Sequence, residues 1–175
     1  VNGVHTLEKG KFLGEFGGLV GLDGLVNFGR PSTARPVALH GWVKYNCGAI
    51  DELGRVPSSR PNLQKGDMDE GQIMIAVGSW RAEEYGGSAE CPVVVNTKDE
   101  STYFDKNGKD VIGAGEMILK ESTDGWIEYT LPLDYRSTSD VPTHMIIVCT
   151  GSRFGDYFTG STQSLMLVDD LTLVY

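Results

Sequence analysis

Residues 37–46, Val-Ala-Leu-His-Gly-Trp-Val-Lys-Tyr-Asn, decide the fold. Alternation along this stretch puts Val37, Leu39, Gly41, Val43 and Tyr45 on one face of a β-strand and Ala38, His40, Trp42, Lys44 and Asn46 on the other. The first set is predicted to enter a core and the second to point away from it. Upstream, residues 29–36 read Gly-Arg-Pro-Ser-Thr-Ala-Arg-Pro. Each proline lacks a backbone donor and forces the arginine before it toward extended backbone. A doubled Arg-Pro therefore suits a crossing segment or a sheet edge.

Working outward, short apolar runs bounded by Gly, Pro, Asp or Ser predict further strands at 11–16, 19–28, 72–80, 92–95, 111–119, 126–133, 144–150 and 164–175. No amphipathic helix emerges. The expected fold class is all-β, an antiparallel β-sandwich with jelly-roll connections. The Asn-Gly pair at 107–108 suggests a type I′ turn. Residues 48–71 are polar and rich in turn formers, and a loop of that length is often functional or mobile.

No linker divides the 175 residues, so one domain over 1–175 is expected. The 23 glycines lie scattered between apolar runs, which suits many turns rather than collagen. A net charge of −9 argues against a nucleic-acid partner and against docking on anionic lipid, since both need a basic face. No run approaches the length of a membrane span, so membrane insertion is not expected. The chain starts at Val1 without a leader-like segment and reads as the C-terminal part of a longer one. Cys47, Cys91 and Cys149 fit no zinc spacing. A Cys47–Cys91 bridge and three free thiols both remain open.

The outward set His40, Trp42 and Lys44 carries the most chemistry. An indole beside hydrogen-bonding groups suits a sugar, whose C–H faces pack on aromatic rings while its hydroxyls need polar partners. Equally, a loop could cover Trp42. Trp80 and Tyr85 would extend such a platform if their loops fold over the same face, and Trp126 shares its face with Glu128 and Thr130. Arg30 and Arg35 suit either a ligand carboxylate or structural pairing. The loop at 151–162 carries Arg153, Asp156 and Tyr157, and loops on rigid scaffolds often bind. Asp169-Asp170 puts one carboxylate on each face, so one is expected to point inward or to sit at a sheet edge, and an inward one needs an arginine or a structural calcium near Asp170. Otherwise no cofactor is expected. Dinucleotide, nucleophile-elbow and calcium-hand templates fail at Gly113-Ala-Gly115, at 86–90 and at 67–71. A glycosidase pair would have to come from Glu116, Glu128, Asp134 and Asp156, which sequence does not pair.

Residues 29–36, the following Leu39 to Tyr45 stretch, Gly155-Asp-Tyr-Phe-Thr-Gly160 and the terminal 167–175 together resemble the putative carbohydrate metabolism domain family. Lys11-Phe-Leu-Gly-Glu-Phe16 is similar to its early Phe-x-Gly segment. The resemblance implies a jelly roll similar to carbohydrate-binding modules, at the C-terminal end of surface lipoproteins of polysaccharide-degrading gut bacteria. It implies an extracellular, lipid-anchored location and an upstream immunoglobulin-like domain. This chain starts after the family's usual first strand, which bears an aromatic and a Glu, so a calcium site built on that Glu and Asp170 does not carry over. The reading is non-catalytic binding of an oligo- or polysaccharide through His40, Trp42, Lys44, Trp80, Tyr85, Arg153 and Tyr157. A glycoside hydrolase and a structural or adhesive spacer are the alternatives.

Overall fold

The computed structural model describes residues 4–6 and 24–175. The chain is all-β, built of antiparallel sheets as in a β-sandwich. In order it runs β1 (Val4–Thr6), β2 (Leu25–Phe28), β3 (Arg30–Pro31), β4 (Ala38–Asn46), β5 (Glu52–Leu53), β6 (Gly71–Gly78) and a one-turn helix α1 (Ala82–Tyr85). It continues through β7 (Val93–Asn96), β8 (Val111–Leu119), β9 (Ile127–Pro132), β10 (Asp134–Tyr135), β11 (His144–Thr150), β12 (Thr159–Gly160) and β13 (Leu165–Val174). The strands predicted at 111–119 and 144–150 coincide with β8 and β11. The strand predicted at 11–16 and the first part of 19–28 lie outside the described residues.

The sheets are β1-β2-β7, β10-β8-β6-β11-β3, β12-β5 and β13-β4-β9. The described residues divide into two compact units, one holding 4–6, 24–35, 76–113 and 135–147, the other 36–75, 114–134 and 148–175.

In the second unit β4 is the middle strand, antiparallel to β13 on one side and β9 on the other. Its alternation holds over most of its length, with Leu39, Val43 and Tyr45 buried and Lys44 and Asn46 exposed. The expectation fails at the entrance. Val37 is 53 % exposed, while Ala38 is buried beside Leu39. The buried ring of Pro36 takes the inward place there, and Val37 contributes only its backbone, bonded to Val174 and Leu133.

Of the two expectations for Asp169 and Asp170, the sheet edge is met, since β13 is the outer strand of β13-β4-β9, and the inward one is not. The β13–β4 register shifts between Asp169 and Thr172, and Asp170 has φ 50°. That extra residue breaks the alternation, and both aspartates are exposed. Gly41 makes the bulge fit, since a Cβ there would lie 3.0 Å from Leu171 Cδ2 and 3.1 Å from the Asp169 carbonyl.

The 48–71 segment is held rather than loose. It closes on itself through Ile50 N–H to Asp67 O at 2.8 Å and Asp69 N–H to Gly48 O at 2.9 Å. It pairs β5 with β12 and buries Ile50 and Leu63 against Phe154.

The first unit buries Val77, Val93, Val95, Val111, Ile112 and Ile146. The edge reading is met for Arg30-Pro31, because β3 ends its sheet beside β11, while Arg35-Pro36 lies in the crossing segment before β4. Arg35 lies 4.5 Å over the Tyr135 ring and donates to the carbonyls of Ser137 and Asp140, so it is structural. The turn at the Asn107-Gly108 pair is not type I′, which would need positive φ at both of these residues, and neither has it. Asp105 instead accepts the Asn107 N–H at 2.8 Å, and β7 and β8 belong to different sheets. Cys47, Cys91 and Cys149 are free thiols, so no Cys47–Cys91 bridge forms.

Leu39, 1 % exposed, and Val37 give a paired test of this register. Leu39→Ala is expected to cost about 2–5 kcal/mol, and Val37→Ala about 0.5 kcal/mol or less, both read by urea denaturation. Equal losses would move residue 37 into the core.

Candidate functional site

Three groups of side chains stand out. The first is the outward face of β13-β4-β9. Pairing places Trp42 between Asp169 on β13 and Glu128 on β9, and His40 between Thr172 and Thr130. Lys44 lies opposite Leu167, and Asn46 opposite Leu165. Trp42 is half-buried, so part of its side chain is open to solvent. Trp126, one residue ahead of β9, is 44 % exposed. His40 Nδ1 lies 3.1 Å from Thr130 Oγ1, and His40 Nε2 lies 3.4 Å from Glu128. The predicted trio His40, Trp42 and Lys44 thus shares one face. Asp169, Leu165 and Leu167 join it, and sequence reasoning missed them. Their alternation was legible, but not which strand β13 pairs with.

The second group lies in the first unit. Trp80, expected in a platform, is 3 % exposed and packs edge-to-face on Phe104 at 5.8 Å between ring centroids. The indole folds back over Gly78, where a Cβ would lie 2.7 Å from Trp80 Cζ2. Both rings line a cleft of about 550 Å³ together with Tyr85, Tyr103, Val94 and Asn96. Helix α1 presents Tyr85 and ends at Gly86, φ 78°, whose N–H donates to Ala82 O. Tyr85 Oη donates to Asp110 Oδ2 at 2.6 Å. Burial, then the Asp110 carboxylate, pushes the Tyr85 phenol up to about 12, which keeps it a neutral donor. Tyr103 Oη donates to Thr97 O at 3.0 Å. Trp80 and Tyr85 therefore come together, as walls of a cleft.

The third group surrounds the 151–162 loop. Arg153 Nη1 lies 3.0 Å from Glu70 Oε2 and Arg60 Nη1 lies 2.9 Å from Glu70 Oε1. Arg153 also reaches Glu116 at 3.8 Å, and both guanidiniums lie over the Phe154 ring. Arg55 lies over the Tyr157 ring at 5.9 Å. Beside them Asp69, 0 % exposed, accepts from Glu70 N–H, Ser161 N–H and Ser152 Oγ. Arg153 and Tyr157 thus sit in a network that fixes the loop. Nothing in the sequence marks Asp69 and Glu70 as buried, because Met68 before them is exposed and reverses the usual hydropathy order.

Burial pushes the Glu70 carboxyl up, but hydrogen bonds from Arg60 and Arg153 outweigh it and leave its pKa below the ordinary 4.5. A lowered folded pKa contributes stability above the unfolded value and loses it as pH falls through the folded one. Unfolding free energy should therefore decline as pH drops below 4.5. Glu70→Gln should cost roughly 2 kcal/mol at pH 7 and flatten that decline, as denaturant titrations at several pH values will read.

Comparison with known proteins places these groups in a family. Two crystal structures share the fold, each with 19 % identity. One is a putative glycoside hydrolase from Bacteroides thetaiotaomicron, with TM-score 0.61 over 88 % of this chain and 47 % of that one. The other is a putative glycoside hydrolase from Bacteroides vulgatus, with TM-score 0.57 over 87 % of this chain and 63 % of that one. The chain thus spans less than two thirds of either structure. No significant match is found among curated proteins. Residues 9–174 match the family described as "Putative carbohydrate metabolism domain", and the chain belongs to that family.

Proposed function

We propose that this chain is a non-catalytic carbohydrate-binding domain that holds a glycan on the outward face of β13-β4-β9. The observation that carries the reading is the row Asp169–Trp42–Glu128, a tryptophan on the middle strand with a carboxylate residue opposite it on each side. A pyranose can lay its C–H face on the ring while its hydroxyls donate to the carboxylates on either side. His40 and Lys44, above and below Trp42 on the same strand, add a second set of polar partners. Trp126 lengthens the aromatic surface for a polymer rather than a single sugar. Membership in a carbohydrate-related family supports the ligand class. In this reading the domain works outside the cell, on the surface of a bacterium that uses polysaccharides, downstream of an immunoglobulin-like domain.

A hydrolase reading has one observation in its favour. Asp169 and Glu128 flank Trp42 from strands on either side of β4. Two strand spacings put their backbones about 9.6 Å apart, within reach of the carboxyl separation of inverting glycosidases.

The two readings separate in one experiment. Binding of wild type to insoluble and soluble polysaccharides is expected, with Trp42→Ala weakening it about tenfold or more, near 1.4 kcal/mol, and no new reducing ends appearing. A Trp42→Ala protein that is folded and binds as wild type does would sink the proposal. Release of reducing ends that disappears in Glu128→Gln would replace binding with catalysis.

A further inference from the structure

We propose that the cleft of the first unit is a carbohydrate site in its own right, which takes the end of a neutral oligosaccharide. The proposal does not depend on the sheet face, whose residues it does not use.

Charge narrows the ligand first. The cleft lining includes Glu84 and Asp105 and no lysine or arginine, so it offers an anionic ligand no cationic partner. The Glu84 carboxylate is already committed. Glu84 is ion-paired with Arg81 and, at 2.7 Å, with Lys109 Nζ. Asp105 accepts the Asn107 N–H. Asp105 keeps its charge at the exposed rim, so a cation is the competing ligand that the ammonium control below tests. A neutral ligand fits what remains.

Shape and polarity narrow it further. Trp80 and Val93 are buried and form a floor, with Leu25, Val94, Tyr103 and Phe104 around it. Rings against such walls favour a ligand with apolar faces. Among the described residues nothing takes the side-chain N–H donors of Asn96, whose oxygen accepts from Lys98 N–H at 3.0 Å. An aromatic-walled cleft holding an unused amide donor matches a sugar ring better than a wholly apolar molecule. About 550 Å³ lies within the range of small-ligand sites and exceeds the room one water or ion needs. The walls are also held in advance, by Tyr85 on Asp110, Tyr103 on Thr97 and the Trp80–Phe104 contact. Binding then orders few side chains.

Trp80 supplies the readout. The chain has 3 tryptophans, so Trp42→Phe/Trp126→Phe leaves Trp80 as the only one. This double variant should be titrated with cellotetraose, xylotetraose, mannotetraose and maltotetraose, with tetramethylammonium chloride as the cationic control. The expected result is a saturable change in Trp80 emission with one or more tetraoses and none with the ammonium ion. Ser101→Phe, an exposed change at the lining, should weaken that response about tenfold or more with the circular dichroism unchanged. Tyr85→Ala provides a second cleft variant. The proposal is overturned if no tetraose alters Trp80 emission up to about 10 mM, if only tetramethylammonium does, or if the Ser101→Phe response equals that of the parent. Polysaccharide binding by wild type, measured in parallel, decides the sheet-face reading separately. A Trp80 response without polymer binding sinks that reading and leaves this one standing.

Discussion

Burial of Leu39, Val43 and Tyr45 is the constraint on which the second unit depends. Strand β4 is hydrogen-bonded along both edges, so it can neither slide nor rotate without breaking two ladders. A slip of one residue would turn three large apolar side chains into water and bring Trp42 and Lys44 inward. With the inner set fixed, the outer set has no freedom of side. Trp42 faces out because its neighbours must face in, and that places an indole on rigid backbone rather than on a loop. Gly41 completes the arrangement by leaving room for the β13 bulge beside it. The bulge in turn keeps Asp169 opposite Trp42 and turns Asp170 to solvent.

Fully buried carboxylates impose a second constraint of a different kind. Asp69 is tolerable only because its oxygens take two backbone N–H groups and one hydroxyl. Two of these donors, from Ser152 and Ser161, belong to the 151–162 segment, while Asp69 belongs to 48–71. Glu70 repeats the logic with Arg60 and Arg153. Each segment therefore supplies what the other needs, and loss of one partner would strand a buried charge. That reciprocity explains how a stretch with no periodic pattern becomes ordered.

Sequence alternation revealed the strands whose two faces differ in environment, β4 and β9 above all. It also identified β8 and β11 to the residue. It failed where backbone geometry departs from strict period two, as at Val37 after the buried Pro36 and at the Asp169–Asp170 bulge. It was silent on partners more than a few residues away, and that is why Asp169 was not seen beside Trp42. Trp80 shows another limit. Its residue type suggested an exposed platform, but Gly78 two residues earlier lets the indole fold back into the wall. Arg153 and Tyr157 were singled out for their chemistry, and their ion-pair and ring contacts became visible only once Phe154, Arg60 and Arg55 had positions.

The two proposed surfaces differ in how their carboxylates are used, and this separates their chemistry. In the cleft, Glu84 and Asp105 already have partners, so a ligand gains chiefly from ring contacts and the Asn96 amide. On the sheet, among the described residues, Glu128 shares only a 3.4 Å approach with His40, and Asp169 gives one oxygen to the Asp170 N–H. Those oxygens remain able to accept from hydroxyls beside Trp42. An exposed carboxylate gains little from a hydroxyl in water, because water competes for the same bond. The gain rises when an overlying ring excludes that water. Recognition on the face would therefore be cooperative between the indole and its flanking acids, with Trp42 deciding how much Glu128 and Asp169 contribute.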